Sequence, residues 1–239
     1  MRLSYSSCSL FGGCPSSWKR QKIDKEEGAP VFQYMHGADM HAKLEGFFAE
    51  VKESGWKPSS YFGMVEKVGS HLTAKHWRAV PSISEMLYAF YVEHGKWLDM
   101  QVEYELDLSA DPKYAFLGYI DCVVDGPHGV VLVDFKSGSY HPELVESYRR
   151  QLGLYTFFYE YMTGRKVVGC ELWYLSRGKK IKLVVDEKFK QDALAWYMGK
   201  KMDIENRLAN GLEFETIKGD TCRVCPFKGK CSAWGTGVK

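Results

Sequence analysis

The sequence predicts an α/β fold, a central mixed sheet flanked by helices, and three observations carry that expectation. Apolar residues recur at helical spacing in residues 33–53, 142–163 and 187–209. Between residues 100 and 136, and again from 166 to 186, they take the two-residue period of strands. The two patterns follow one another as helix, three strands, helix, strand, which favours one mixed sheet over separate all-α and all-β blocks.

The elements follow in order. Residues 4–21, SYSSCSLFGGCPSSWKRQ, read as a short helix broken by a turn at Gly12, Gly13 and Pro15. Met40, Leu44, Phe47 and Val51 space a helix over residues 33–53. Residues 55–81, punctuated by Gly, Ser and Pro, predict no element. Ser82 and Glu85 form a capping-box pattern that should start the next helix. In MQVEYELDL, Val102, Tyr104, Leu106 and Leu108 alternate with Glu103, Glu105 and Asp107, the mark of a half-buried strand with its acids outward. GYIDCVVD and VVLVDFKSG follow, joined by Gly126-Pro127-His128-Gly129 as a hairpin. A helix from Pro142 to Thr163 stops at Gly164, KVVGCELWYL and KIKLVVD form a second hairpin around residues 176–179, and a last helix runs from Glu187 to Ala209, closed by Asn210-Gly211.

Composition narrows the function. The 239 residues carry a net charge of only +2, with 45% hydrophobic and 26% charged residues, the values of a globular chain. That balance excludes a uniformly basic nucleic-acid binder and confines basic sites to Lys19-Arg20, Arg149-Arg150 and the turn from Arg177 to Lys180. No apolar run reaches 18 residues and no secretory signal opens the chain, so neither a membrane partner nor export is expected. Seven cysteines, an odd number, point to a reducing, cytoplasmic compartment rather than a disulfide framework. Cys122 and Cys170, alone in apolar strands, read as buried small hydrophobes.

The chemistry lies in the first hairpin. A loop centred between Pro127 and His128 pairs residues whose numbers sum to 255, which sets Asp121 opposite Asp134 and Tyr119 opposite Lys136 on one face. Two carboxylates at 4 Å repel by roughly 4 kcal/mol at an effective dielectric of about 20. A hard divalent cation between them converts that repulsion into affinity. Lys136, next on the same face, can orient a water or offset charge developing on phosphorus.

The stretch GYIDCVVDGPHGVVLVDFKSG resembles the core of the PD-(D/E)xK nuclease superfamily, in its RecB-like branch. So do Gly37-x-x-x-His41-x-x-x-Glu45 on the preceding helix, Gln151-x-x-x-Tyr155 on the following one, and the αβββαβ order. The likeness covers residues 33–175, within one domain over residues 1–239 whose flanks, 1–32 and 176–239, are extensions. It implies that His41, Asp121, Asp134 and the carbonyl of Phe135 hold Mg²⁺ or Mn²⁺, that Lys136 assists the attacking water, and that Gln151 and Tyr155 position the strand. Read without it, His41 is a boundary histidine, Glu45 a surface group, and Arg149-Arg150 a solvated basic turn.

The cysteine ends add a second motif. Cys222-x2-Cys225-x5-Cys231 lacks a fourth thiolate, for which Cys14, and after it Cys8, is the candidate. This arrangement resembles the iron–sulfur RecB-like nucleases, among them the CRISPR-associated exonucleases and a component of bacterial end-resection machines. The resemblance implies a 4Fe–4S cluster on Cys14, Cys222, Cys225 and Cys231 that joins the N- and C-terminal segments. Spacing alone also fits Zn²⁺. By the loop-closure relation, a clip across about 200 residues is worth roughly 5 kcal/mol, a structural role.

Three functions follow as expectations. The first is a metal-dependent DNA exonuclease acting on single strands or DNA ends, in repair, recombination, phage or CRISPR adaptation complexes. The second is a DNA-binding or assembly module of that fold acting through a partner. The third is a zinc-stabilised single-strand binder using its 35 aromatic residues. The chain has no phosphate-loop motif for ATP.

Overall fold

A computed structural model describes residues 1–30, 32–72, 74–94, 100–126 and 129–234. The chain divides into two compact units: His36–Leu106 with Tyr119–Gln191, and Met1–Met35 with Asp107–Gly118 and Asp192–Lys239.

The larger unit holds helices α4 (Tyr61–His71), α5 (Val80–His94) and α6 (Pro142–Thr163), strands β3 (Gly129–Lys136), β4 (Val167–Tyr174) and β5 (Lys179–Leu183), and most of α3 (Phe32–Ser54), β1 (Met100–Leu108) and β2 (Phe116–Gly126). The five strands form one sheet in sequence order. β2–β3 and β4–β5 are antiparallel, whereas β3 and β4, bridged by α6, run parallel. The sheet is therefore mixed, as the alternating pattern predicts. Phe47, Phe48 and Val51 of α3, Met64 and Val68 of α4, and Ile83 and Leu87 of α5 bury Cys122, Val124, Val133, Phe135 and Trp173 of the sheet. Leu132 and Asp134 alternate with Val133 and Phe135, and α6 packs on β3 and β4.

The first hairpin keeps the register that sums to 255, from Gly126↔Gly129 to Cys122↔Val133. Its turn residues, Pro127 and His128, lie outside the described residues. Gly129 at φ +131° has room for no side chain, since a Cβ there would stand 2.5 Å from Val168. α6 ends on Gly164, whose φ of +69° is the left-handed cap that an L-residue with a side chain resists.

Three expectations need correction. The stretch 55–81 is not irregular: α4 occupies Tyr61–His71, capped by Ser60, whose hydroxyl accepts the N–H of Gly63. α5 begins at Val80, and Ser82 makes no capping box; its hydroxyl donates to the carbonyls of Ala79 and Leu175, fixing the helix to the β4–β5 turn. In β1 the alternation breaks at Glu103, where φ is +50°.

In the smaller unit, α1 (Tyr5–Gly13) and α2 (Pro15–Lys22) meet at Cys14, the N-cap residue of α2, with Pro15 at its first position. Trp18 is fully buried, donates its indole N–H to Ser7 at 2.8 Å and stacks on Phe214. Leu3 bridges to Phe116, with the Leu3 N–H on Ala115 O and the Leu117 N–H on Leu3 O, both at 2.8 Å. Tyr197, on the last helix α7 (Glu187–Asn210), donates its buried hydroxyl to the carbonyl of Tyr114 at 2.7 Å. Tyr197→Phe removes that buried hydrogen bond and should cost about 1–2 kcal/mol, read as a lower urea midpoint at unchanged slope.

Candidate active site

β3 delivers Asp134, Phe135 and Lys136 at its carboxyl end. Asp134 is 3% exposed, and its Oδ2 lies 2.5 Å from the Lys136 ammonium. That contact is an ion pair and Oδ2 accepts no hydrogen bond, so it is a buried oxygen with acceptor capacity to spare. On the neighbouring strand, Asp121 accepts the N–H of Phe135 on Oδ2 at 2.6 Å. Regular pairing ends one position earlier, and the carboxylate takes over the ladder's last donor. Its other oxygen lies 3.4 Å from Nδ1 of His41, which α3 brings over the hairpin. Glu103 completes a set in which one ligand atom each from His41, Glu103 and Asp121 lie within 4.8 Å of one another.

The electrostatics agree with that geometry. Burial, and then the nearby Asp121 charge, raise the Asp134 carboxyl to about 6 against the opposing pull of Lys136 and His41. Burial opposes charge on Lys136, but Asp134 and Asp121 outweigh it and raise its pKa. Burial likewise opposes charge on His41, and the Asp121 carboxylate outweighs it, again raising the pKa. Glu103 is raised by burial, with Asp121 and Glu45 adding to the effect. Three carboxylates thus face one ammonium and one imidazole, with a buried oxygen unsatisfied. These residues fit a hard divalent cation, which takes carboxylate oxygens and imidazole nitrogen.

α6 supplies the other side. Lys136 Nζ lies 3.5 Å from Gln151 Oε1, a long contact, and Gln151 Nε2 donates to the Tyr155 hydroxyl at 3.3 Å. Helical spacing places Tyr148 one turn earlier on the same stripe, with its ring centroid 4.0 Å from Nζ.

His41, Asp121, Asp134, Lys136, Gln151 and Tyr155 are therefore one constellation, with Phe135 tied into it through its N–H. Tyr119 departs from the facing expectation: its hydroxyl donates to Glu105 at 2.8 Å rather than turning toward Lys136. Glu45 is exposed and outside the three-ligand set. Arg149 pairs with Glu146 at 3.5 Å and lies over Phe189. Sequence reasoning missed Glu103 and Tyr148. Strict alternation assigns Glu103 to the outward row, and a tyrosine three residues before Gln151 carries no signal until Lys136 lies beneath it.

Five of the seven cysteines, Cys8, Cys14, Cys222, Cys225 and Cys231, lie in the smaller unit. Cys225 Sγ is 3.7 Å from Ser17 Oγ of α2, the helix that Cys14 caps. A Cβ on Gly13 would stand 2.5 Å from Thr221, so the residue before Cys14 touches the residue before Cys222. The Cys222 thiol sits below its usual range through the Gly219 backbone, the Trp234 indole and Lys228 and Lys218. Cys8 is fully buried with its thiol pushed up to about 12, and Cys122 and Cys170 are buried as their apolar strands predict. Among the described residues, no three of the cysteine sulfurs lie within 4.8 Å of one another.

A mixed sheet that carries an acidic pair and a lysine on one hairpin end, with a histidine above and Gln-x-x-x-Tyr beside it, defines a nuclease domain. The chain belongs to the PD-(D/E)XK nuclease superfamily, whose profile matches residues 2–232. Over 66 residues it is 36% identical to an ATP-dependent helicase/nuclease from Moorella thermoacetica, a stretch that is 28% of this chain and about 5% of that protein. A crystal structure of a candidate exonuclease from Eubacterium rectale superposes with a TM-score of 0.56 at 16% identity, covering 93% of this chain and 87% of that one, which is a likeness of fold. No helix among the described residues is long and apolar enough to cross a membrane.

Proposed function

We propose that the protein is a Mg²⁺- or Mn²⁺-dependent deoxyribonuclease that works as an exonuclease on single strands or DNA ends. The observation that carries this reading is Asp134, a buried carboxylate with an unsatisfied oxygen, held between Lys136 and Asp121 at the end of β3. A bound divalent cation polarises the scissile phosphate and lowers the pKa of a water. His41, Glu103, Asp121 and Asp134 would hold it, with the carbonyl of Phe135. Asp121 is fixed in place by the Phe135 N–H. Lys136, anchored by Asp134 and Gln151, would stabilise charge developing on the nonbridging oxygens of a bound phosphate. Gln151 and Tyr155 hydrogen-bond each other and offer an amide and a phenol to the strand. The test follows end-labelled linear and circular single strands with Mn²⁺ and with EDTA, using anaerobically purified protein. Metal-dependent loss of the linear strand with circles spared supports the exonuclease; cut circles make it an endonuclease; no cleavage of either refutes the nuclease reading.

Cation binding should be steeply pH-dependent. Asp134 titrates near 6 and His41 is raised, so both must release protons to become ligands. Mn²⁺ affinity should therefore fall by about tenfold or more per pH unit below about pH 6, with the raised His41 extending the loss to higher pH. Calorimetric titrations in two buffers of different ionisation enthalpy check this through the protons released.

The cysteine region supports a 4Fe–4S cluster on Cys14, Cys222, Cys225 and Cys231. Contacts through Ser17 and Gly13 bring its two ends together. Anaerobic protein should be brown, absorb broadly near about 400 nm and carry about four irons per chain, lost together in Cys225→Ser. One zinc per chain and no such band would refute the cluster.

A further inference from the structure

We propose that the turn between β4 and β5, with the loop after β3, forms a backbone-binding rim for the DNA strand next to the scissile phosphate. The inference rests on the nuclease reading and adds a subsite to it. β3 and β4 are parallel and in register at Lys136↔Tyr174, so both carboxyl ends open on the same edge of the sheet. Ligands of such sheets bind beyond those carboxyl ends. The two connections that leave this edge are tied to each other: the Leu175 N–H donates to Lys136 O at 2.9 Å, and the Ser176 hydroxyl lies 3.4 Å from Gly138 O as its donor. A strand bound at the Lys136 end of β3 therefore has this turn as its neighbour.

The chemistry of the rim is cationic. Arg177 and Lys179 are exposed, and among the described residues no carboxylate pairs with either. Lys179 is nonetheless held in place, its ammonium 3.5 Å from the ring centroid of Tyr140, which in turn packs edge-on against Tyr174 at 5.4 Å. Gly178 at φ +61° makes the tight turn that presents both cations. Lys182, further along β5, is instead paired with Glu171 at 3.7 Å. Two exposed cations without carboxylate partners among the described residues, one of them held over a ring, suit the phosphates of a single strand, whose binding releases counterions in proportion to the charges neutralised.

The test measures binding of a labelled single-stranded 20-mer by anisotropy in EDTA, over a series of salt concentrations, for full-length wild type, Arg177→Gln/Lys179→Gln, Lys179→Arg, Tyr140→Phe and Lys182→Gln. The double variant should bind about tenfold more weakly, with a log Kd against log[salt] slope shallower by about 1.4. Lys179→Arg and Tyr140→Phe, which keep the charge and the ring, should stay within about twofold of wild type, as should Lys182→Gln. Unchanged affinity and slope in the double variant overturn the rim, as does an equal loss in Lys182→Gln, which would mark general electrostatics. Wild type that binds with the rim signature yet cuts nothing in Mn²⁺ refutes the nuclease reading and leaves the rim standing; wild type that fails to bind refutes the rim.

Discussion

Lys136→Ala should lower the rate of metal-dependent DNA hydrolysis by about a hundredfold to a thousandfold, the cost of removing one preorganised charge from a phosphate-facing site. The side chain stands between Asp134 at 2.5 Å, the amide oxygen of Gln151 and the face of Tyr148. All three hold the ammonium in one direction, so its loss is not compensated by a neighbour. Lys136→Arg should not restore activity, because a planar fork cannot occupy the place of a point charge packed against Asp134 and a ring face. Lys136→Ala also leaves Asp134 buried beside Asp121 with no cation, so that variant should be destabilised in EDTA and recover with Mn²⁺. Steady-state cleavage of a labelled strand, paired with melting in EDTA and in Mn²⁺, checks both halves. Activity within tenfold of wild type would remove Lys136 from the chemistry.

Glu103 makes the second large effect. Its φ of +50° costs a non-glycine residue about 1–2 kcal/mol, a cost that ligation of a cation can offset. Glu103→Gln keeps the backbone and the size but removes the charge, and should weaken Mn²⁺ binding by about tenfold to a hundredfold with a matching loss of cleavage at low metal. Glu103→Gly removes ligand and strain together. In EDTA it should be more stable than Glu103→Gln by about 1 kcal/mol, while binding metal no better. Calorimetric Mn²⁺ titration and urea melts of the two variants separate strain from ligation. Equal melts would mean that the left-handed backbone at Glu103 stores no energy, and unchanged metal affinity in both would remove Glu103 from the ligand set.

The hairpin shows how much of this was legible in the chain. Because strand side chains alternate with a period of two, the position of Gly126-Pro127-His128-Gly129 alone determined which residues pair, and the register from Gly126↔Gly129 to Cys122↔Val133 follows that arithmetic. The helix of Gln151 and Tyr155 was equally readable, bounded by Pro142 and Gly164, whose backbone restrictions act locally. Local rules failed where a long-range contact overrode them. Ser82 has capping chemistry but donates to Leu175, 93 residues away, and α4 lies in a stretch whose glycines and serines argue against helix until Met64 and Val68 are buried.

The sequence by itself determined the mixed sheet, most of the order of elements and the register of the first hairpin as far as Cys122↔Val133, because periodicity and turn chemistry are properties of neighbours along the chain. Only the tertiary structure decided that Glu103 joins His41 and Asp121, that Tyr148 caps Lys136, and that the basic turn at Arg177 and Lys179 shares an edge with the Asp-x-Lys strand. Each of those depends on a left-handed residue within a strand, a helix packing onto a sheet, or two parallel strands ending together. These are set by which surfaces the core buries, and no spacing within a single segment encodes them.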